Sequence, residues 1–205
     1  MESTVACEII EINPVYPQPR RIQHVADIIK NGGMVAFPTD STYGIGCDLY
    51  NKPAIDLLYQ IKNRDVRSPF SFLCADLSDL AQYAKVGNQA YKMMRRLTPG
   101  PFTFILEATR LVPKIMRTKR YTVGIRVPDH TICNAIIRDV SNPVISTTAK
   151  DLSGEYLADP WDIREIYGDH LDVIVDGGPL IPGLTTIVDL TGPEYAIIRQ
   201  GKGDV

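Results

Sequence analysis

Apolar and polar positions along this chain switch repeatedly between the helical and the strand period. Ile22, Val25, Ala26 and Ile29 recur at i, i+3, i+4 and i+7, which predicts a helix over residues 19–31. Pro19 suits its first turn, and Gly32-Gly33 stops it. The apolar run at 34–37 reads as a short strand ending at Pro38. Ala54, Leu57, Leu58 and Ile61 give a second amphipathic helix, with Asn51 as its cap and Pro53 near its first turn. Phe70, Phe72 and Cys74 alternate with Ser71 and Leu73 as a strand does. Further on, the pattern predicts helices over 88–97, 131–140 and 162–167. It predicts strands over 102–107, 121–127, 144–148, 172–175, 185–190 and 195–199.

Helices and strands that interleave in this way define an α/β or α+β chain built on one twisted, mixed sheet. No internal repeat, low-complexity tract or linker divides it. The most loop-like stretch, 177–184, is too short to separate domains, so 1–205 reads as one domain. Composition narrows the class further. Apolar residues make up 44% and charged residues 22%, which excludes a disordered or fibrous chain. A net charge of −2 argues against a protein that coats nucleic acid through overall basicity, while leaving room for a local basic patch. No apolar run approaches the roughly 18 residues needed to span a bilayer. Residues 1–14 lack the basic-then-apolar pattern of a signal peptide, so the expectation is a mature, cytoplasmic protein with no membrane partner. Cys7, Cys47, Cys74 and Cys133 form no CxxC pair, and His24, His130 and His170 lie far apart. Buried reduced thiols and no protein-held metal are therefore expected.

Four polar clusters could carry chemistry. Residues 38–47 follow a buried strand with a small-polar loop in which Gly44 and Gly46 would let backbone approach closely. Alternatively the segment is a plain turn. Lys62, Arg64 and Arg67 put three cations at a helix-to-strand junction, suited either to a polyanion such as triphosphate or to the negative end of the helix dipole. In the strand at 121–127, Thr122, Gly124 and Arg126 share one face. They offer a donor, a gap and a cation, as a small carboxylate-bearing ligand would need or as a solvated edge would tolerate. Residues 146–154 place Ser146, Thr147, Thr148 and Lys150 just after an apolar strand, either as a phosphate or adenosine cradle or as a capping segment. Walker, GxSxG and paired-carboxylate motifs are missing. An enzyme built this way would work by positioning and electrostatics rather than by a nucleophile.

In this order and spacing the clusters resemble the YrdC/YciO family of L-threonylcarbamoyladenylate synthases. The resemblance runs from about Ile22 to Gly201. It rests on FPTDSTYGIG at 37–46, Lys62-Asn63-Arg64, TPGPFTFIL at 98–106, VGIRVP at 123–128, TTIVD at 185–189 and IRQG at 198–201. It implies a single-domain form, with a twisted mixed sheet, a concave basic face and flanking helices. It also implies joining of L-threonine, bicarbonate and ATP into threonylcarbamoyl-AMP and pyrophosphate, for modification of adenosine 37 of tRNA. A tRNA-threonylcarbamoyl transferase complex would act downstream. By the resemblance, Lys62, Arg64, Thr122, Thr148 and Arg199 are ATP-side residues, and Thr39, Arg126, Ser146 and Thr185 are threonine-side residues. Mg²⁺ would accompany ATP, held largely by phosphate oxygens and water.

Two departures stand against this pattern. Thr148-Ala149-Lys150 replaces the synthase SxN, with one residue more before Leu152-Ser153-Gly154, and Phe72-Leu73-Cys74 stands where a histidine is common. Both lean toward the YciO branch. The alternative is a catalytically weak paralogue whose concave face binds a nucleotide, double-stranded RNA or tRNA. Lys62, Arg64, Arg67, Lys114, Arg117, Lys119 and Arg120 would serve either reading, with Phe70 and Tyr121 as the interleaved aromatics.

Overall fold

The computed structural model describes residues 7–62, 70–78, 80–116 and 120–205. Its elements run β1 (Glu8–Glu11), α1 (Pro19–Lys30), β2 (Val35–Pro38), β3 (Tyr43–Asp48), α2 (Lys52–Ile61), β4 (Ser71–Leu73), α3 (Leu80–Tyr83), β5 (Ala84–Lys85) and α4 (Asn88–Leu97). They continue with β6 (Phe102–Ala108), β7 (Thr122–Arg126), α5 (Thr131–Val140), β8 (Val144–Thr148), α6 (Pro160–Tyr167), β9 (Val173–Asp176), β10 (Thr186–Asp189) and β11 (Ala196–Arg199). The strands form one sheet in the order β1-β9-β2-β3-β8-β4-β7-β6-β10-β11, with β5 added on β6. Pairs β1/β9, β2/β9, β4/β7 and β6/β10 are parallel and the others antiparallel, so the sheet is mixed, as the interleaved pattern predicts.

The elements form where the sequence places their signals. Asn51 caps α2, its side chain accepting from the Ala54 N–H at 3.0 Å. Ile22, Val25, Ala26 and Ile29 are the buried stripe of α1, with Pro19 as its first residue.

One reading of the sequence is corrected. Residues 43–47, expected as part of a loop, belong to β3, an interior strand paired with β2 and β8. Tyr43, Ile45 and Cys47 pack into one core while Gly44 and Gly46 face the other way. A Cβ on Gly46 would lie 2.2 Å from the Ile145 carbonyl oxygen, so this glycine answers to crowding across the sheet rather than to a turn. The short edge strands β1 and β5 also lie outside the sequence expectation.

Side-chain parity divides the sheet into two faces. Ala36, Ile45, Phe72, Phe104, Ile125 and Ile145 pack with α2, α4 and α6 on one of them. Val35, Phe37, Leu73, Val144, Val173 and Val175 pack with α1 and α5 on the other. On this second face β6, β7 and β10 turn Thr103, Thr122, Gly124, Arg126 and Ile187 away from the first core. The hydrophobic cluster under α1 and α5 does not reach them, and there the sheet opens into a cavity.

Candidate functional site

The cavity has a volume of about 640 Å³. Its floor is the open sheet face, lined by Gly44, Ser71, Thr103, Thr122, Gly124, Arg126, Ser146 and Thr148 among others. Period-2 geometry accounts for the concavity: positions that would carry core side chains under a covering helix here carry glycine or a short hydroxyl. Gly124 leaves a gap in the floor, since a Cβ there would sit 3.3 Å from Ser71 Cβ and 3.5 Å from Thr103 Cγ2.

The structure brings together eight of the residues singled out from the sequence: Thr39, Lys62, Thr122, Arg126, Ser146, Thr148, Thr185 and Arg199 all line this one cavity. Arg64 lies outside the described residues, as do Arg67, Arg117 and Lys119. Lys114 and Arg120 are not in the lining. Phe70 is buried and packed on Tyr59 with ring centroids 4.5 Å apart, so it offers no free face for stacking a base.

At one end stands Arg126, its side chain 11% exposed. One guanidinium nitrogen, Nη2, donates to Asp40 Oδ1 at 2.5 Å and to Ser41 Oγ at 3.2 Å. Its Nε is buried without a partner. Asp40 in turn accepts from the Asp129 N–H at 3.1 Å. Thr39 organises this corner. Its hydroxyl donates to the Thr42 carbonyl at 2.6 Å and accepts from the N–H groups of Ser41 and Thr42 at 3.2 and 3.3 Å. That turn presents Asp40 and Ser41 to the guanidinium. Neither Asp40 nor Ser41 was singled out in the sequence, where they read as loop residues.

Along the β6–β10 side, Arg199 donates to the Thr185 carbonyl and hydroxyl at 2.8 and 3.0 Å, and the Thr185 and Thr103 hydroxyls lie 3.0 Å apart. The opposite wall holds two lysines. Lys62 caps the C-terminus of α2 and donates to Tyr167 Oη at 2.7 Å. Lys150 lines the cavity with its ammonium 4.3 Å from the centre of the Tyr156 ring. The residue added before Leu152 does not carry Lys150 out into solvent. The extra length is taken up in a tight turn over 151–155, where Asp151 Oδ1 accepts from Ser153 Oγ and the Glu155 N–H, both at 2.8 Å. Tyr156 had no mark in the sequence; it sits opposite Lys150 in an antiparallel bridge.

Among the described residues the lining carries four cationic side chains, Lys62, Arg126, Lys150 and Arg199, and no carboxylate. Asp40 balances Arg126 from behind the wall. The rest of the site therefore favours a ligand with several negative charges. Such a lining does not fit a resident divalent cation, which prefers carboxylate oxygens. No group of three or more His, Cys, Asp or Glu suited to a metal occurs among the described residues. No helix among them is long and apolar enough to cross a membrane.

Comparison with known proteins agrees in sequence and in fold. The Sua5/YciO/YrdC family model, described as "Telomere recombination", matches residues 27–201. The uncharacterized protein YciO of Escherichia coli is 36% identical over 196 residues, 95% of each chain. Its crystal structure superposes with a TM-score of 0.91, covering 97% of both chains. The threonylcarbamoyl-AMP synthase of Nitrosococcus oceani is 30% identical over 183 residues, 89% of this chain and 94% of the relative. The crystal structure of P. abyssi Sua5 complexed with L-threonine is 27% identical with a TM-score of 0.88, over 94% of this chain and 57% of that one.

Proposed function

The chain belongs to the Sua5/YciO/YrdC family, and from that premise we propose that it is a nucleotidyltransferase of the L-threonylcarbamoyladenylate synthase type. It joins L-threonine, bicarbonate and ATP into threonylcarbamoyl-AMP and pyrophosphate, in the cytoplasm, for a transferase complex that modifies tRNA. The observation that carries this reading is the pairing of a cavity whose described lining holds cations and no carboxylate with a buried arginine at one end.

The chemistry asks little of side chains as reactants. Threonine nitrogen and bicarbonate form a carbamate with loss of water. A carbamate oxygen then attacks the α-phosphorus, the bond from that phosphorus to the bridging oxygen breaks, and pyrophosphate leaves with the electron pair. No protein nucleophile is needed, and among the described residues the lining holds none activated by a neighbouring base. Lys62 and Lys150 face the charge that builds on the leaving pyrophosphate, with Arg64 assigned to the same task. Arg126 takes the threonine carboxylate through the nitrogen not committed to Asp40, and Ser146 and Thr185 offer hydroxyls beside it. Thr122, Thr148 and Arg199 face the nucleotide. Thr39 acts through the turn that orients Ser41. Mg²⁺ enters with the triphosphate, as part of the substrate.

Pyrophosphate release measured with ATP, bicarbonate and one amino acid at a time tests the proposal. Release should need all three components and prefer threonine. ATP binding without release would assign the cavity to a paralogue that holds a nucleotide or RNA. Lys62→Ala should weaken ATP binding by about 1.5–3 kcal/mol, the loss of one charge-assisted contact, with little change in stability.

A further inference from the structure

Tyr167 stands behind the cavity wall rather than in it. It is the last residue of α6, is buried, and does not line the cavity. Its hydroxyl is nevertheless engaged on both sides. It donates to the backbone carbonyl of Lys150 at 2.5 Å and accepts from the Lys62 ammonium at 2.7 Å. A phenol has one proton. Once that proton is committed to the carbonyl, the oxygen presents only lone pairs elsewhere, and an ammonium, which only donates, is the partner that fits. Burial, with a smaller contribution from Asp151, raises the Tyr167 phenol above its ordinary value of 10.0. The group stays protonated at neutral pH and keeps donating to the carbonyl.

The Lys150 carbonyl is itself held. Residues 149–157 form a short strap in which Leu157 N–H donates to Ala149 O at 3.1 Å and Asp151 N–H donates to Glu155 O at 2.9 Å. Lys150 and Tyr156 face each other across it. The strap fixes the carbonyl, the carbonyl fixes the phenol proton, and the phenol oxygen fixes the ammonium.

This chain of contacts answers a physical need. Lys62 and Lys150 present like charges to one cavity, and each has a long flexible stem whose ammonium gains hydration by turning outward. A lysine that must be gathered in on binding loses affinity by about two- to tenfold for the ordering of its side chain. One held in place beforehand does not.

We propose that Tyr167 is a positioning residue for Lys62, holding its ammonium at the cavity wall so that the phosphate-binding charge is in place before the ligand arrives. The inference rests on the reading of the cavity as a polyphosphate site.

Calorimetric titration of ATP into four proteins tests it: the parent, Tyr167→Phe, Lys62→Ala and the double variant. Tyr167→Phe keeps the ring and its packing and removes only the hydroxyl. It should lower ATP affinity about three- to tenfold, and Lys62→Ala should lower it about tenfold or more. In the Lys62→Ala background, Tyr167→Phe should then change affinity by less than about twofold, because no ammonium is left to place. Equal losses in both backgrounds would mean that the hydroxyl supports the strap or the fold, and would overturn the proposal. A loss in Lys62→Ala with none in Tyr167→Phe would overturn it while leaving the polyphosphate reading intact. No loss in Lys62→Ala itself would remove that reading, and the role of Tyr167 with it.

Discussion

Removing the Asp40 carboxylate from behind the cavity wall should destabilise the protein markedly. The partner it leaves is a guanidinium only 11% exposed, while Asp40 itself is 9% exposed. Arg126 Nε already lacks a partner, so the side chain has little left to compensate with beyond the 3.2 Å contact to Ser41 Oγ. Breaking a buried ion pair from one side typically costs about 3–5 kcal/mol, because the other charge stays desolvated. The open cavity lets water reach one edge of the guanidinium, which argues for the lower end, about 3 kcal/mol. Loss of the acceptor for the Asp129 N–H, 3.1 Å away, acts in the same direction. For a chain of this size the expected fall in Tm is roughly 6–12 °C. Urea denaturation of Asp40→Ala at an unchanged m-value is the direct measurement.

The double variant Asp40→Ala/Arg126→Met separates charge from shape. With no charge left to desolvate, it should be about 1–2 kcal/mol more stable than Asp40→Ala alone. L-threonine should also raise the Tm of Asp40→Ala more than that of the parent, since a ligand carboxylate would supply the missing counter-charge. A cost below about 1 kcal/mol for Asp40→Ala would place the pair with ordinary surface bridges. A double variant less stable than the single would show that the lost term is packing. Either result refutes the reasoning.

Gly124→Ala should fold with near-normal stability, because its nearest contact would be 3.3 Å from a side-chain carbon, yet lose threonine binding as the added methyl fills the floor; melting curves and calorimetry together check this. Gly46→Ala, which drives a Cβ to 2.2 Å from the Ile145 carbonyl, should instead cost upward of about 2 kcal/mol in the same melting experiment. Lys150→Asn should reduce pyrophosphate release, because the ammonium lines the cavity; a gain in product formation would reverse the assignment of Lys150 to phosphate. Burial lowers the His130 pKa below 6.5, outweighing Asp40 and Asp129, which act the other way. The unfolded chain therefore binds the proton more readily than the folded one. The stability that His130 contributes is present above 6.5 and is lost as pH falls through the lower folded-state value. Urea titrations from pH 7 downward should show this fall, and His130→Gln should flatten its upper part.

Most of the fold was legible because its elements announce themselves locally. The stripe of α1, the Asn51 cap and the alternation of β6 and β7 each need only a short window of sequence. The exceptions share a cause. Tyr43 to Asp48 alternates as a strand should, but with glycine at its small positions, and glycine reads as a turn unless the crowding across the sheet is known. Nothing near Gly46 announces that the Ile145 carbonyl will lie against it. Likewise Asp40 sits 86 positions from Arg126, and a pairing at that separation leaves no local trace. The site residues were legible for a different reason. Thr122 and Arg126 carry donors at strand spacing where a core strand would carry methyl groups, and Lys62 puts a charge where the chain leaves a helix. Lys150 was ambiguous because the inserted residue could have moved it either way; the Asp151 turn decides that question, through hydrogen bonds whose geometry the sequence does not state.

Core and cavity here follow from the same parity rule applied to two halves of one sheet face. Where α1 and α5 lie, the upward positions are Val35, Phe37, Val144 and Val173, and the face closes. Beyond those helices the upward positions are Ser71, Thr122, Gly124 and Ser146, too short to meet one another, and the face stays open. Cations then enter from the ends of elements rather than from their middles: Lys62 from the cap of α2, Lys150 from just past β8, Arg126 and Arg199 from the last residues of β7 and β11. Element ends can place charge at a rim without burying it in a core, at a far smaller desolvation cost. Arg126 is the exception, buried to a depth where a lone charge is not tolerated, and it is paired with the Asp40 carboxylate. That difference assigns the two ends of the cavity different ligand groups. The end holding Lys62 and Lys150 brings two ammonium groups to the wall and suits phosphates; the end holding Arg126 is nearly neutral and suits a single carboxylate that shares the guanidinium with Asp40.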